Sequence, residues 1–337
     1  MLATRRDVLA GLAALSSSVM LAPAPRAASG GDFIDVHHHV FPPQFSAIAR
    51  LHTVNAGVID RWTLQHSLDE MDRNGVRTAV ASITQPGVFF GDNAQARSLA
   101  RICNDYMARL RQEYPGRFGF FAALPLPDVD ASLREAAYAL DELKADGIGL
   151  MTSVGNQWAG DPAFAPLFEE LDRRGSVVYF HPANPACCRA LMSYVTPNLI
   201  EFPHDTARAI TSLMFSGTLV KRRNIKFLFS HAGGTLPVLA GRIEQLATPQ
   251  QKADFLPQGI QYELQRLYFD VADSANRAAL GALTAWVDLS HVMLGSDYPY
   301  VPIGVTSDGL TQLGYSAQQL RAIRRDNARL LLPRLPA

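Results

Sequence analysis

The sequence predicts a (β/α)₈ barrel, and three observations lead there. After Gly31, short apolar runs alternate with amphipathic stretches, the runs number eight, and histidines gather at their C-terminal ends. A doubly wound open sheet is the competing architecture. The runs begin at Phe33 (FIDV), Arg77 (RTAVAS), Phe118 (FGFFAA), Gly147 (GIGLMT), Val177 (VVYFH), Ile225 (IKFLFS), Leu267 (LYFDVA) and His291 (HVMLGS). Between them, helix ends are marked by cap residues. Asp92 opens a helix over 92–114, Asp161 with Pro162 opens one over 161–174, and Gly75 and Gly175 follow the helices at 63–74 and 161–174. Two connections are long, 38–62 after the first strand and 182–198 after the fifth. At the C-terminal face of a barrel such insertions cover an active site.

The 337 residues carry 31 basic and 31 acidic side chains, which leaves no net field to draw in nucleic acid or an anionic membrane. Small-molecule chemistry is favoured instead, and 48% hydrophobic residues suffice for a large core. Residues 1–30 read as a removable twin-arginine export signal. Arg5 and Arg6 precede an apolar stretch from Val8 to about Ala22 and a small-residue tail, with cleavage expected near Ala27–Gly30. That stretch is shorter than the roughly 20 residues of a spanning helix. A periplasmic protein whose single domain covers 31–337 is expected, without stable membrane association after cleavage. Export by this route in a folded state allows a metal to be loaded beforehand. Three cysteines, of which Cys187 and Cys188 are neighbours, make no disulfide framework and read as packing residues.

Nine histidines are present, and their placement decides the reading. His37 and His39 follow the first strand, His181 ends the fifth, His231 ends the sixth, and Asp297 in LGSDYPY closes the eighth. Because strand side chains alternate between faces, His37 and His39 point to one centre while His38 points away. A carboxylate beside several imidazoles suits zinc or another divalent ion. His52 and His66 fall in a loop and a helix, His291 begins the eighth strand at the bottom of the barrel, and His204 in EFPHDTAR stays ambiguous.

At these residues the chain resembles the amidohydrolase superfamily, in the branch around α-amino-β-carboxymuconate-ε-semialdehyde decarboxylase. The resemblance rests on His37-x-His39, FHPANP with His181, SHAGGTLP with His231 and GSDYPY with Asp297, in order and each after a predicted strand. SHAGGTLP, EFPHDTAR and FDVADSAN look most like members that decarboxylate hydroxylated aromatic acids, including 6-methylsalicylate decarboxylases. The resemblance implies an amidohydrolase-type barrel in which His37, His39, His181 and Asp297 hold one metal, zinc or manganese. It also implies His231 as the acid/base group and a homodimer in which Arg242 of one chain grips the substrate carboxylate of the other.

Binuclear relatives bridge two metals with a lysine. Lysine occurs here only at 144, 221, 226 and 252, none at a strand's catalytic end, which favours a mononuclear site. Arg50 and Arg61 give no secure match to a second carboxylate-binding arginine. The implied reaction is decarboxylation of a small hydroxyaryl carboxylic acid, with protonation through Asp297 or His231. Phe41, Phe89, Phe90, Trp158, Tyr298 and Tyr300 are available to sandwich a ring. Hydrolysis of a lactone or amide by metal-bound hydroxide is the alternative, and metal binding without turnover a third reading.

Overall fold

The computed structural model describes residues 31–188, 192 and 194–335. The expected export segment, 1–30, lies outside them. Eight parallel strands form one sheet in sequential order: β1 Phe33–His39, β2 Val76–Ser82, β3 Phe118–Ala123, β4 Gly147–Met151, β5 Val177–His181, β6 Lys226–Phe229, β7 Tyr268–Asp270 and β8 Val292–Met293. The sheet closes on itself. Val36 N–H donates to Leu294 O (3.0 Å), Asp297 N–H to His37 O (2.9 Å) and His39 N–H to Tyr298 O (2.8 Å). The architecture is a (β/α)₈ barrel, so the open-sheet alternative falls away.

The helices form where cap residues satisfy their first free N–H groups. Thr63 accepts from His66 N at the start of α1 (Leu64–Arg73), and Asp92 accepts from Ala94 N and Gln95 N at the start of α2 (Asn93–Glu113). Asp161 opens a single 3₁₀ turn, Pro162–Phe164, before α3 (Ala165–Arg173). Two further helices matter for the site, α4 (Pro197–Phe215) and α5 (Leu236–Leu246). Among the described residues no helix is long and apolar enough to cross a membrane.

Inside the barrel, Ile34, Val36, Val80, Phe121, Val177, Tyr179, Leu228 and Met293 pack together. Leu331, Leu332 and Leu335 from the C-terminal segment join this cluster. A larger apolar layer lies between the strands and the surrounding helices. Strand β1 gains one residue on β2 between Asp35 and His38, a bulge that re-aims side chains. Through it, Val36 fills the interior while the next residue, His37, reaches the mouth. Of the cysteines, Cys103 and Cys188 are buried as packing residues. Cys187 is exposed, which corrects the expectation for that one, and all three are free thiols.

Candidate metal centre

Each expected ligand arrives at the C-terminal rim on a different element. His37 and His39 end β1, His181 ends β5, and Asp297 sits in the loop after β8, which Gly295 lets pass tightly: a Cβ there would stand 2.8 Å from both His37 Cβ and Asp270 Cβ. One donor atom from each of His37, His39, His181 and Asp297 lies within 4.8 Å of all the others, and the four residues are buried. Asp297 Oδ1 is 2.9 Å from His39 Nε2, 3.1 Å from His37 Nε2 and 3.8 Å from His181 Nε2. The two Nε2 atoms of His37 and His39 are 3.0 Å apart.

The far nitrogen of every imidazole is engaged elsewhere. His37 Nδ1 meets Asp270 Oδ2 at 3.0 Å, His39 Nδ1 meets Ser82 Oγ at 3.2 Å, and His181 Nδ1 donates to Pro182 O at 2.9 Å. These outer partners turn all three Nε2 atoms inward, the arrangement that orients metal-ligating histidines.

Electrostatics point the same way. Burial, aided by neighbouring imidazoles, holds His181 down to about 3 and also lowers His39, so both are neutral donors. Burial opposes charge on His37, yet Asp270 and Asp297 outweigh it and raise its pKa well above the ordinary value. Burial likewise opposes charge on Asp297, but His37 and the surrounding imidazoles keep it ionised, well below the usual carboxylate range.

A metal ion fits this donor set. His181 Nε2 is buried, aimed into the cluster and without a hydrogen-bond partner, a costly state that a cation relieves. Donors about 2.0–2.1 Å from a tetrahedral ion stand about 3.3 Å apart, close to the separations above. A second possible donor group, His231, Asp273 and Asp297, adjoins the first through Asp297.

His231 stands beside the four, in the turn after β6. Its Nε2 is 3.6 Å from Asp297 Oδ2, its ring centroid 5.0 Å from that of His37, and its side chain 12% exposed. Asp273, missed in the sequence reading, approaches the same nitrogen, with Oδ2 3.7 Å from His231 Nε2. His231, Asp273 and Asp297 all have positive φ, at 53°, 53° and 62°, so backbone strain gathers at this point. Asp270 was missed as well. Fully buried at the end of β7, it takes His37 Nδ1–H on one oxygen and the N–H groups of His231 (3.1 Å) and Ala272 (3.0 Å) on the other. Its sequence signal was present, a lone carboxylate in the apolar run LYFDVA at a strand's C-terminal end.

His38 points away and is structural. Its nitrogens meet Asp35 Oδ2 (3.2 Å) and Ser67 Oγ (3.1 Å), and its ring stacks on Tyr298. His204 joins Thr235 Oγ1 (3.0 Å) behind the site, and His291 stacks on Tyr268 at the strand N-terminal end. Arg242 is exposed on α5 and takes no part in its own chain's cluster. Arg50 pairs on the surface with Asp60, and Arg61 is exposed.

A cavity of about 370 Å³ lies beside the cluster, lined by residues of β3 and β4 and by the segments that follow β1 to β5. Of the six candidate aromatics, Phe89 and Phe90 line it. Phe41 and Tyr300 pack together, Trp158 donates to Asp205 Oδ1 (2.6 Å), and Tyr298 is engaged by His38. His52, read from sequence as a plain loop residue, also lines the cavity and packs against Phe90 at 4.6 Å.

Comparison with known proteins agrees with this architecture. A family profile described as amidohydrolase matches residues 34–334. "Decarboxylase yanB" of Aspergillus niger is 38% identical over 90% of this chain and 88% of its own length. The 6-methylsalicylic acid decarboxylase of Penicillium expansum is 37% identical over 80% and 85%. Among solved structures, a dihydroxybenzoic acid decarboxylase from Polaromonas, with bound manganese and 2-nitroresorcinol, superposes with a TM-score of 0.82 over 91% of this chain and 98% of its own; at 22% identity it speaks to the fold. By profile, by identity across most of its length and by barrel architecture, the chain belongs to the amidohydrolase family.

Proposed function

We propose that the protein is a metal-dependent, non-oxidative decarboxylase of a small hydroxyaryl carboxylic acid of the salicylate type. One observation carries this reading: the buried His37, His39, His181 and Asp297 donors converge beside His231 in a chain 37–38% identical to named decarboxylases. His37, His39, His181 and Asp297 would hold one divalent ion. Three nitrogens and one oxygen suit zinc, with manganese as the alternative. When bound, the ion supplies Lewis acidity toward the substrate carboxylate and the neighbouring phenolic oxygen.

The chain's own residues handle the proton. His231 Nε2 delivers it to the substrate and regains it from water, and the ionised Asp297, with Oδ2 3.6 Å away, favours the positively charged donor. Transfer to the carboxyl-bearing ring carbon interrupts aromaticity. The bond to the carboxyl group then breaks, its electron pair returns to the ring, and carbon dioxide leaves. Asp270 fixes the backbone of His231 and the ring of His37 together, so proton donor and donor cluster keep one geometry.

We further propose a homodimer. Arg242 shares a face of α5 with the exposed Val238 and Leu246, a surface suited to a second copy whose substrate carboxylate Arg242 would grip. Export to the periplasm with removal of residues 1–30 completes the proposal, and the N-terminal mass of the secreted protein tests it.

Incubating metal-replete protein with salicylate-type acids and with lactones separates decarboxylation from the hydrolase alternative. Carbon dioxide with a matching phenol is expected. Ring-opened acid without gas contradicts it. His231→Ala should retain the metal and lose turnover.

A further inference from the structure

The cavity beside the donor cluster differs from it in carrying no carboxylate. None of its lining residues is Lys, Arg, Asp or Glu; aliphatic and aromatic side chains, including Val88, Phe89, Leu124, Leu126 and Leu150, share the wall with the polar His52, Gln85, Ser153 and Asn184. The hydroxyl of Ser153, a polar lining residue, is turned away to donate to Asp205 Oδ2 at 2.9 Å. Apart from the imidazole of His52, no side chain there could face a second carboxylate with a counter-charge, and burying an unpaired charge is prohibitively costly.

Its position ties it to the site through three neighbours. Met151 of the lining pairs in register with His181, Ile83 follows Ser82, which holds His39, and Phe121 stacks at 4.9 Å on Tyr179, whose ring lies 5.5 Å from that of His37. Glycines keep it open. A Cβ on Gly149, in the middle of β4, would stand 3.3 Å from Phe121 Cβ, and one on Gly87, at φ +78°, 3.0 Å from Met151 Cγ. Its size is the remaining clue. A cavity of about 150 Å³ accommodates benzene, so about 370 Å³ holds considerably more than a methyl group or a single ring.

We infer that this cavity is a subsite for an uncharged alkyl substituent of several carbons on the substrate ring, so that the preferred acid is an alkylsalicylate larger than the methyl compound. The inference rests on the decarboxylase reading, with the ring carboxylate and hydroxyl at the donor cluster and the chain directed over β3 and β4. Each methylene that leaves water for this wall should improve binding about threefold to fourfold.

The test is a homologous series, 6-methyl- to 6-pentylsalicylate. Turnover is read as kcat/KM, and binding is read separately with the unreactive 3-alkyl-2-nitrophenols. The expected result is a stepwise rise in kcat/KM and a parallel fall in Kd with chain length. Met151→Trp and, independently, Val154→Phe should flatten both gradients in protein that keeps its metal content. Turnover of the methyl compound with a flat or falling gradient overturns the inference. Binding that tightens with chain length without release of carbon dioxide leaves the subsite standing and overturns the decarboxylase reading. Neither binding nor turnover across the series overturns both.

Discussion

At the barrel mouth, the side formed by β1, β5 and β8 carries three imidazoles and a carboxylate within 4.8 Å, whereas the side formed by β2, β3 and β4 encloses a cavity lined without a charged residue. The first side is specified by direction. Asp270, Ser82 and Pro182 O each hold one imidazole nitrogen, so that three Nε2 atoms meet. The second is specified by volume, through glycines at 87 and 149 and aliphatic walls. Substitutions should therefore act on metal in one half and on shape and stability in the other.

The largest effect is expected from the donors themselves. His181→Ala should lower metal content from one ion per chain toward zero and abolish decarboxylation, measured by elemental analysis and carbon dioxide release. Retention of a full equivalent would remove His181 from the site. Asp270→Asn keeps the shape but loses the charge behind His37, and should weaken metal binding about 10- to 100-fold in competition with a chelator. The pH dependence comes next. Because the metal-free His37 is held protonated above its ordinary range, an ion must displace that proton. Affinity should rise about tenfold per pH unit and level off once pH passes the raised His37 pKa, with about one proton released per ion in calorimetry across buffers. Ser82→Ala removes a neutral partner from His39 and should cost less, about tenfold at most. The smallest effect on metal should come from the other half. Leu150→Ala, in the buried wall of the cavity, should reduce stability by about 2–5 kcal/mol in denaturant unfolding yet leave metal stoichiometry at one.

What the sequence made legible follows from the same contrast. Strand ends are local features, so His37, His39, His181 and Asp297 could be placed at one rim from apolar runs and alternation alone, and His38 excluded by the same period of two. The bulge after Asp35 was not legible, because an extra residue shows only against the partner strand. Asp270 stood out as a lone carboxylate in an apolar run, but its role did not: that depends on a side-chain contact with His37, 233 positions away, made across the intervening β8. Asp273 was hidden for a related reason, since only the turn after β7 brings it to His231. The cavity was least legible of all. Glycines at 87 and 149 carry no side chain to signal a wall, and only the packed barrel shows which space they leave open. His52 was misjudged with them, because the 38–62 connection folds back over Phe90.

The central claim is that residues from four separate places on the rim share a single cation. X-ray absorption at the metal edge, on protein purified without added metal and quantified for metal per chain, tests it most directly. The account predicts one ion per chain whose nearest shell contains three imidazole nitrogens and a carboxylate oxygen, with the imidazole count falling to two in the His39→Ala variant reloaded with metal. A wild-type shell with fewer than two imidazoles, or a shell unchanged by that substitution, would contradict it.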